Sequence, residues 1–169
     1  PIFPKLPGIH GENVYTAEQI LRQEAEFENQ DIAVIGSGMT GLETAEYLVK
    51  KGNRITLVEM AEELAPGTWI QHVMDVVPKL EEKHTRFITS YKLVEIADDA
   101  VYLESTKIPG RRKKIPCRAA VLALGVKPAP LDEGLKNVCA KVYSIGDEQA
   151  TGRIADATHS AYQAAMKLV

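Results

Sequence analysis

Residues 32–41 read IAVIGSGMTG, four apolar residues followed directly by a G-x-G-x-x-G motif. A continuous apolar run that ends in glycine is typical of a parallel strand buried on both faces. From Met39 to Lys51 the apolar residues recur at helical spacing, so the motif joins a strand to a helix. This context indicates a dinucleotide-binding turn, whereas a lone glycine motif would be weak evidence.

Each glycine of the motif has a predicted role. Gly36 permits a tight turn, Gly38 lets the backbone approach a pyrophosphate, and Gly41 lets helix and strand pack closely. The first N–H groups of the helix, including those of Met39 and Thr40, are expected to face the phosphate charge.

Glu59 follows the next apolar run, residues 55–58, and its carboxylate could accept hydrogen bonds from both hydroxyls of an adenosine ribose. No arginine lies nearby to hold a 2′-phosphate: residues 60–63 read MAEE, and Arg54 lies at the opposite end of the strand. The sequence therefore predicts a preference for NAD(H) over NADP(H). The alternative interpretation is that the glycines form an ordinary turn and that Glu59 is a solvated strand end.

The remaining elements predict an α/β fold, a Rossmann-like parallel sheet with an inserted β-meander. We expect three segments: a linker and helix over 1–30, the nucleotide-binding domain over 31–128, and a return segment over 129–169. Thr16 should cap a helix reaching Phe27, and Pro78 should kink or divide a helix over 68–83. Trp69 is expected to anchor the core. Further strands and a last helix are expected at 87–104, 119–124, 142–145 and 154–168.

Bulk composition excludes several classes of protein. The chain has 169 residues, 45% hydrophobic and 25% charged, as in a globular domain. Its net charge of −3 disfavours nucleic acid, and its apolar runs are too short to span a membrane. Cys117 and Cys139 fit a reduced, cytoplasmic protein, and the histidines show no spacing that indicates a metal site. The basic run at 111–114 is expected to be a solvated turn.

Three motifs together resemble the pyridine nucleotide–disulfide oxidoreductase superfamily. The G-x-G-x-x-G-x-E-x-A pattern at 36–45 resembles its NAD(P)H-domain fingerprint, and ALGVKP at 123–128 its segment that crosses towards the FAD domain. YSIGD at 143–147, followed by RIADA at 153–157, resembles its second FAD motif. The segment over 7–15 resembles the linker that enters the NAD domain.

The residues GLETA at 41–45 and VEM at 58–60 most resemble the C-terminal part of old-yellow-enzyme-like NADH:flavin oxidoreductases, the enoate and 2,4-dienoyl-CoA reductase group. That resemblance implies an N-terminal barrel that holds FMN and an iron–sulfur cluster. The residues of such a barrel are not part of this sequence. The opening residues PIFP suggest a chain cut from a longer one. Without the first FAD motif, FAD is expected in the parent protein and is not expected to be retained by this chain. The expected partners are the FAD and N-terminal domains of the same parent, with a homo-oligomer as a further possibility.

The resemblance also assigns cofactor contacts. Asp147, beside Gly146, would bind the ribityl chain of FAD. Met60 and Gly125 are also expected to contact the cofactor. Glu43 would approach the nicotinamide and flavin, or it is simply a first-turn acid favoured by the helix dipole. No catalytic residue is identified. The predicted function is presentation of NADH to FAD for hydride transfer. The alternative is a non-catalytic module that senses NAD(H) or an adenine nucleotide, which the segments at 123–128 and 145–147 disfavour.

Overall fold

The computed structural model describes residues 1–128, 134–138 and 141–167. It divides into two compact units, a larger one over Phe3–Gly125 and a smaller one over Val126–Val169 with Pro1–Ile2. The larger unit contains eight strands and three helices. In chain order they are β1 (Val14–Thr16), α1 (Ala17–Leu21), β2 (Asp31–Ile35), α2 (Met39–Lys50), β3 (Arg54–Val58), α3 (Ile70–Glu82), β4 (Arg86–Ile88), β5 (Tyr91–Ala97), β6 (Ala100–Ser105), β7 (Arg112–Pro116) and β8 (Ala119–Leu122).

Five strands form one parallel sheet in the order β1-β8-β2-β3-β4. Ile35, the last residue of β2, is in register with Val58 of β3 on one side and Leu122 of β8 on the other. The carboxyl ends of these three strands therefore meet at one edge. The predicted α/β class and Rossmann-like sheet are confirmed.

The apolar run that predicted a buried strand is explained by what covers the sheet. Ile32 and Val34 pack into a core with helical residues such as Leu42 and Leu80, whereas Ala33 packs into a second core. That second core takes its other members from the inserted meander, among them Ile96, Val101, Leu103 and Ile115. Because helices cover one face and the meander the other, both sides of β2 are apolar.

The meander is a three-stranded antiparallel sheet, β5-β6-β7, separate from the parallel one. Its turns lie at Asp98–Asp99 and around Pro109–Gly110. Residues 86–88, which the sequence assigned in part to the meander, form β4 of the parallel sheet instead. The connection through α3 returns the chain parallel to β3, and periodicity alone does not reveal this pairing.

Several local expectations were wrong. The first helix ends at Leu21 rather than at Phe27, and Gln23 adopts φ 61° just beyond it. The helix start was right, since Thr16 forms a capping box with Gln19. Pro78 does not divide α3, which runs through it, and a kink at this residue stays a prediction. Trp69 is 57% exposed and is not a core anchor.

The basic run at 111–114 is largely in β7 rather than in a turn. Lys113 lies over the Tyr91 ring at 4.3 Å, and Lys114 pairs with Asp99. The charged groups of Lys113 and Lys114 therefore interact with other residues of the meander.

The smaller unit contains α4 (Leu135–Val138), a single 3-10 turn over Gly146–Glu148, and α5 (Ile154–Met166). The last helix was predicted, although the final residues of that prediction lie outside the described part. The predicted strand at 142–145 is wrong, because those residues have no strand conformation. A strand needs a neighbouring strand for its hydrogen bonds, and none occurs among the described residues of this unit.

Helix α5 buries none of its described residues, and Ile154 and Tyr162 are 85% and 65% exposed. We expect its amides to exchange with solvent at least about tenfold faster than those of β2, because few packed contacts oppose local opening. Hydrogen exchange of a monomeric sample tests this. Equal protection of residues 154–166 and 32–35 would contradict it.

Candidate functional site

A cavity of about 320 Å³ lies at the carboxyl ends of β2, β3 and β8. We refer to it as the carboxyl-end crevice. Sheets of this kind bind ligands at the point where the strand order reverses, which here falls between β2 and β8. The crevice is lined by Pro4, Ile35, Gly36, Gly38, Val58, Glu59, Met60, Lys92, Leu93, Ala123 and Leu124.

Two glycines of the motif are required by the packing of the chain itself. Gly36 adopts φ +100°, and a Cβ there would lie 2.5 Å from the Ala123 carbonyl oxygen. A Cβ on Gly41 would lie 2.0 Å from the Gly36 carbonyl oxygen. Both contacts are with backbone, which has little freedom to move away. The loop therefore folds as the sequence predicts, tight at its start and close to the helix at its end.

Gly38 differs, because a Cβ there would have no atom within 4 Å. Gly38 is the N-cap residue of α2, makes no side-chain cap hydrogen bond and lines the crevice. Helix geometry leaves the N–H groups of Met39 and Thr40 without intrahelical acceptors. Leu42 is the helical residue whose N–H reaches the Gly38 carbonyl, at 3.0 Å. The helix thus begins at an open edge with donors available to an anion.

Glu59 lies beneath the glycine loop and is only 6% exposed. Its Oε2 accepts from the Ser37 N–H at 3.0 Å and from the Ser37 hydroxyl at 2.8 Å, and its Oε1 accepts from the Ala61 N–H at 2.9 Å. Burial opposes the charge, yet the backbone N–H groups of Ala61, Ser37 and Met60 and the Ser37 hydroxyl together hold the pKa of Glu59 below its ordinary value. Glu59 is therefore an ionised carboxylate at neutral pH, and the alternative of a solvated strand end is wrong.

These contacts limit what Glu59 can offer a ligand. An ionised carboxylate has about four acceptor positions. Hydrogen bonds from Ser37 and Ala61 take three of them, and the backbone N–H of Met60 also interacts with the carboxylate. At most one strong hydrogen bond remains for a ribose. We therefore expect one ribose hydroxyl, rather than both, to donate to this carboxylate.

Glu43 does not line the crevice. It is the fifth residue of α2, which has no acid in its first turn, so a favourable first-turn charge does not explain it. Its side chain is about half exposed, and its Oε1 lies 3.9 Å from His72 Nε2 on α3. The structure thus places Glu43 between two helices, and its expected approach to a nicotinamide stays a prediction.

Two lysines were missed by sequence reasoning, one in the crevice with Glu59 and one paired with Glu62. Lys92 of β5 lines the crevice and pairs with Glu104 at 3.5 Å. Lys107, in the turn between β6 and β7, forms an ion pair with Glu62. Only the folding of the meander over the sheet brings these cations here, and no local motif signals it.

The other predicted residues divide between the two units. Met60 is 64% exposed and lines the crevice, together with Leu93, which the sequence did not indicate. Gly125 adopts φ 82° just beyond the lining residues Ala123 and Leu124. Arg54 lies at the opposite end of β3, as expected, where it pairs with Asp31 at 2.6 Å.

Gly146 and Asp147 belong to the smaller unit. The Gly146 N–H donates to the Ser160 hydroxyl at 2.9 Å, and the Gly152 N–H donates to Asp147 Oδ1 at 3.1 Å. The Gly146 N–H and the Asp147 carboxylate therefore both form hydrogen bonds within the smaller unit.

The side chain of Cys117 belongs to the second core. Cys117 is buried, and its burial raises the pKa of the thiol to about 11, so it is unreactive at neutral pH. Cys139 lies outside the described residues. Within the described ranges, no group of metal-ligating side chains occurs and no helix is long and apolar enough to cross a membrane.

Comparison with known proteins identifies the class. A model of the pyridine nucleotide-disulphide oxidoreductase family matches residues 1–165. The chain belongs to this family of oxidoreductases, which use NAD(P)H and FAD.

Individual relatives agree with this assignment. An NADH oxidase of Thermoanaerobacter brockii is 30% identical over 99% of this chain, which covers 26% of that protein. A bilirubin reductase of Mediterraneibacter gnavus is 29% identical over 86% of this chain, which covers 22% of that protein. The chain thus spans about a quarter of the length of these relatives.

Solved structures show the same fold. A 2-naphthoyl-CoA reductase complex superposes with a TM-score of 0.81 at 25% identity, over 96% of this chain and 24% of that one. Histamine dehydrogenase from Rhizobium sp. 4-9 gives a TM-score of 0.76 at 19% identity, over 99% of this chain and 27% of that one. The second likeness concerns the fold alone.

Proposed function

We propose that this chain binds NADH in the carboxyl-end crevice and presents it to FAD within a larger flavin-dependent oxidoreductase. The observation that carries the proposal is Gly38. The folded chain leaves open space where its side chain would lie, so the protein itself does not require a glycine there. A ligand whose backbone contacts need that space, at the N-terminus of a helix, accounts for it.

The residues of the crevice fit a dinucleotide. The N–H groups at the start of α2 suit the pyrophosphate, and Glu59 retains at most one acceptor position, which a ribose hydroxyl would fill. Met60 and Leu93 offer apolar surface to a base. Bound NADH would supply a hydride, whereas the protein supplies position and electrostatics. No residue of the crevice is assigned an acid or base role.

The finer assignment extends the proposal to a parent protein. We propose a cytoplasmic NADH:flavin oxidoreductase of the old-yellow-enzyme-like group, with FMN and an iron–sulfur cluster in other domains. The wording at 41–45 and 58–60 supports this, and the similarity to an NADH oxidase supports NADH as donor. Asp147 would contribute to FAD binding beside an FAD domain of the same parent, against which the exposed apolar residues of α5 would pack. A homo-oligomer that covers α5 is the alternative arrangement.

We expect NADH to bind at least about tenfold more tightly than NADPH, which corresponds to roughly 1.4 kcal/mol. A 2′-phosphate would remove the hydroxyl that donates to Glu59 and place a second negative charge beside it. The nearby cations give limited relief, because Glu104 and Glu62 already engage Lys92 and Lys107. Calorimetric titration of both reduced cofactors at neutral pH measures the ratio.

Two variants make this test specific. Glu59→Ala should bring the two affinities close together, whereas Glu63→Ala, an exposed acid outside the crevice lining, should leave the ratio unchanged. Failure of the wild type to bind NADH at millimolar concentration would contradict the proposed function. Equal affinities in a wild type that does bind NADH would contradict only the role of Glu59.

A further inference from the structure

We infer that Ser37, the residue between the first two glycines, is a positioning residue that holds the Glu59 carboxylate and thereby sets discrimination at the 2′ position of the ribose. The inference rests on the proposed function, since it concerns the same crevice. Sequence motifs treat this position as variable, and nothing in the pattern of glycines assigns it a role.

The contacts of Ser37 fix the direction of its hydroxyl. Ser37 is completely buried, and the Ala65 N–H donates to its Oγ at 2.8 Å. A backbone N–H can only donate and an ionised carboxylate can only accept. The Ser37 hydroxyl proton must therefore point to Glu59 Oε2, 2.8 Å away. One side chain thus connects the glycine loop, the acid at the end of β3 and the loop that leads to α3.

The same hydroxyl holds an unfavourable backbone conformation. Ala65 adopts φ 54°, in the left-handed region that residues other than glycine rarely occupy. Ala65 is buried, so its N–H has little access to water. Because Ser37 accepts from this N–H, it stabilises the chain that follows Glu59 as well as the carboxylate itself.

Oε2 receives both of its hydrogen bonds from Ser37, whereas Oε1 receives one from Ala61. Because Oε2 already has two donors, an acceptor position for a ribose hydroxyl can only be on Oε1. Removal of the Ser37 hydroxyl would leave Oε2 with only a backbone donor, and the carboxylate could then rotate. A ribose hydroxyl would lose its aligned acceptor, while a 2′-phosphate would meet a negative charge no longer fixed beside it.

The first measurement is cofactor selectivity in the complete chain. Ser37→Ala should weaken NADH binding about tenfold, the effect expected for a hydrogen bond to a charged group. NADPH binding should change less than about twofold, because the 2′-phosphate of NADPH replaces the hydroxyl that would donate to Glu59. The ratio of the two dissociation constants, measured by calorimetry, should therefore fall towards one. General damage to the glycine loop would instead weaken both cofactors equally, because both bind it through the same pyrophosphate.

The second measurement is the pH dependence of binding, followed with NAD⁺ because it is stable in acid. The pKa of Glu59 lies below its ordinary value, so the wild type should lose affinity only when the pH falls through that lowered pKa. Ser37→Ala removes one of the donors that lower the pKa. The loss of affinity should then begin at a higher pH.

Two further variants keep the result interpretable. Thr44→Val removes another fully buried hydroxyl, which donates to the Thr40 carbonyl at 2.6 Å and is not a hydrogen-bond partner of Glu59. This variant should leave the ratio unchanged. Ser37→Cys retains a weak donor of similar size and should give an intermediate ratio, and it stands in if Ser37→Ala fails to fold. Equal weakening of both cofactors by Ser37→Ala or Ser37→Cys would overturn the inference while the proposed function stands. A wild type that binds neither cofactor would overturn both.

Discussion

Replacement of Gly41 by alanine is expected to lower the free energy of unfolding by about 3 kcal/mol or more. The added Cβ would lie 2.0 Å from the Gly36 carbonyl oxygen, well inside van der Waals contact, so loop and helix must separate. Overpacking against backbone is costly because neither partner can rotate away. This loss of unfolding free energy should lower the midpoint of thermal unfolding by roughly 10 °C.

Gly38→Ala is the matched control for this variant. It makes the same chemical change three positions earlier, where no atom lies within 4 Å of the new Cβ. Its own cost should stay near 1 kcal/mol, because alanine is a poorer N-cap than glycine. Chemical denaturation of both variants gives the comparison. Similar stability of Gly41→Ala and Gly38→Ala would show that the close approach of Gly41 to Gly36 is not a real constraint.

Gly38→Ser is expected to lower the affinity for NADH by at least about a hundredfold, without loss of stability. Serine is a better N-cap than glycine, so the start of α2 should be as stable as before or more so. The new side chain would occupy the space in the crevice through which a pyrophosphate approaches the backbone. A loss of about a hundredfold corresponds to roughly 2.7 kcal/mol of binding free energy.

The test combines thermal unfolding with titration of NADH on the same preparation. Unchanged unfolding together with lost binding separates a ligand-imposed glycine from one imposed by the fold. If Gly38→Ser bound NADH as the wild type does, the pyrophosphate would not lie at this helix N-terminus. The proposed function would then lose the observation on which it rests.

Much of the fold could be predicted because the deciding signals are local. The apolar run before Gly36 and the helical spacing after Gly41 each depend on neighbours in sequence, and both elements form where expected. The capping box of Thr16 is local in the same way. Elements whose identity depends on a distant partner were missed. Residues 14–16 become a strand only because β8 lies beside them, and residues 86–88 only because β3 does.

The candidate site shows the same division. The glycine loop and Glu59 could be found from spacing, since a strand–turn–helix unit places them together. The contributions of Ser37, Lys92 and Leu93 could not, because each depends on the close approach of segments far apart in sequence. Trp69 was misplaced for a related reason. A large apolar side chain is usually buried, but whether this one is depends on what packs against the start of α3.

The pairing of β2 with β8 has a consequence for synthesis of the chain on the ribosome. Residues 32–35 acquire their second neighbour only when residues 119–122 have been made, and the crevice also needs Ala123 and Leu124. Long-range parallel pairing of this kind forms slowly, because the entropy of closing a long loop is lost before the contacts between the strands stabilise the structure. A nascent chain that ends within the meander would carry the whole glycine motif but only part of the wall that faces it. The proposed nucleotide binding therefore cannot begin before β8 has left the exit tunnel and paired with β2.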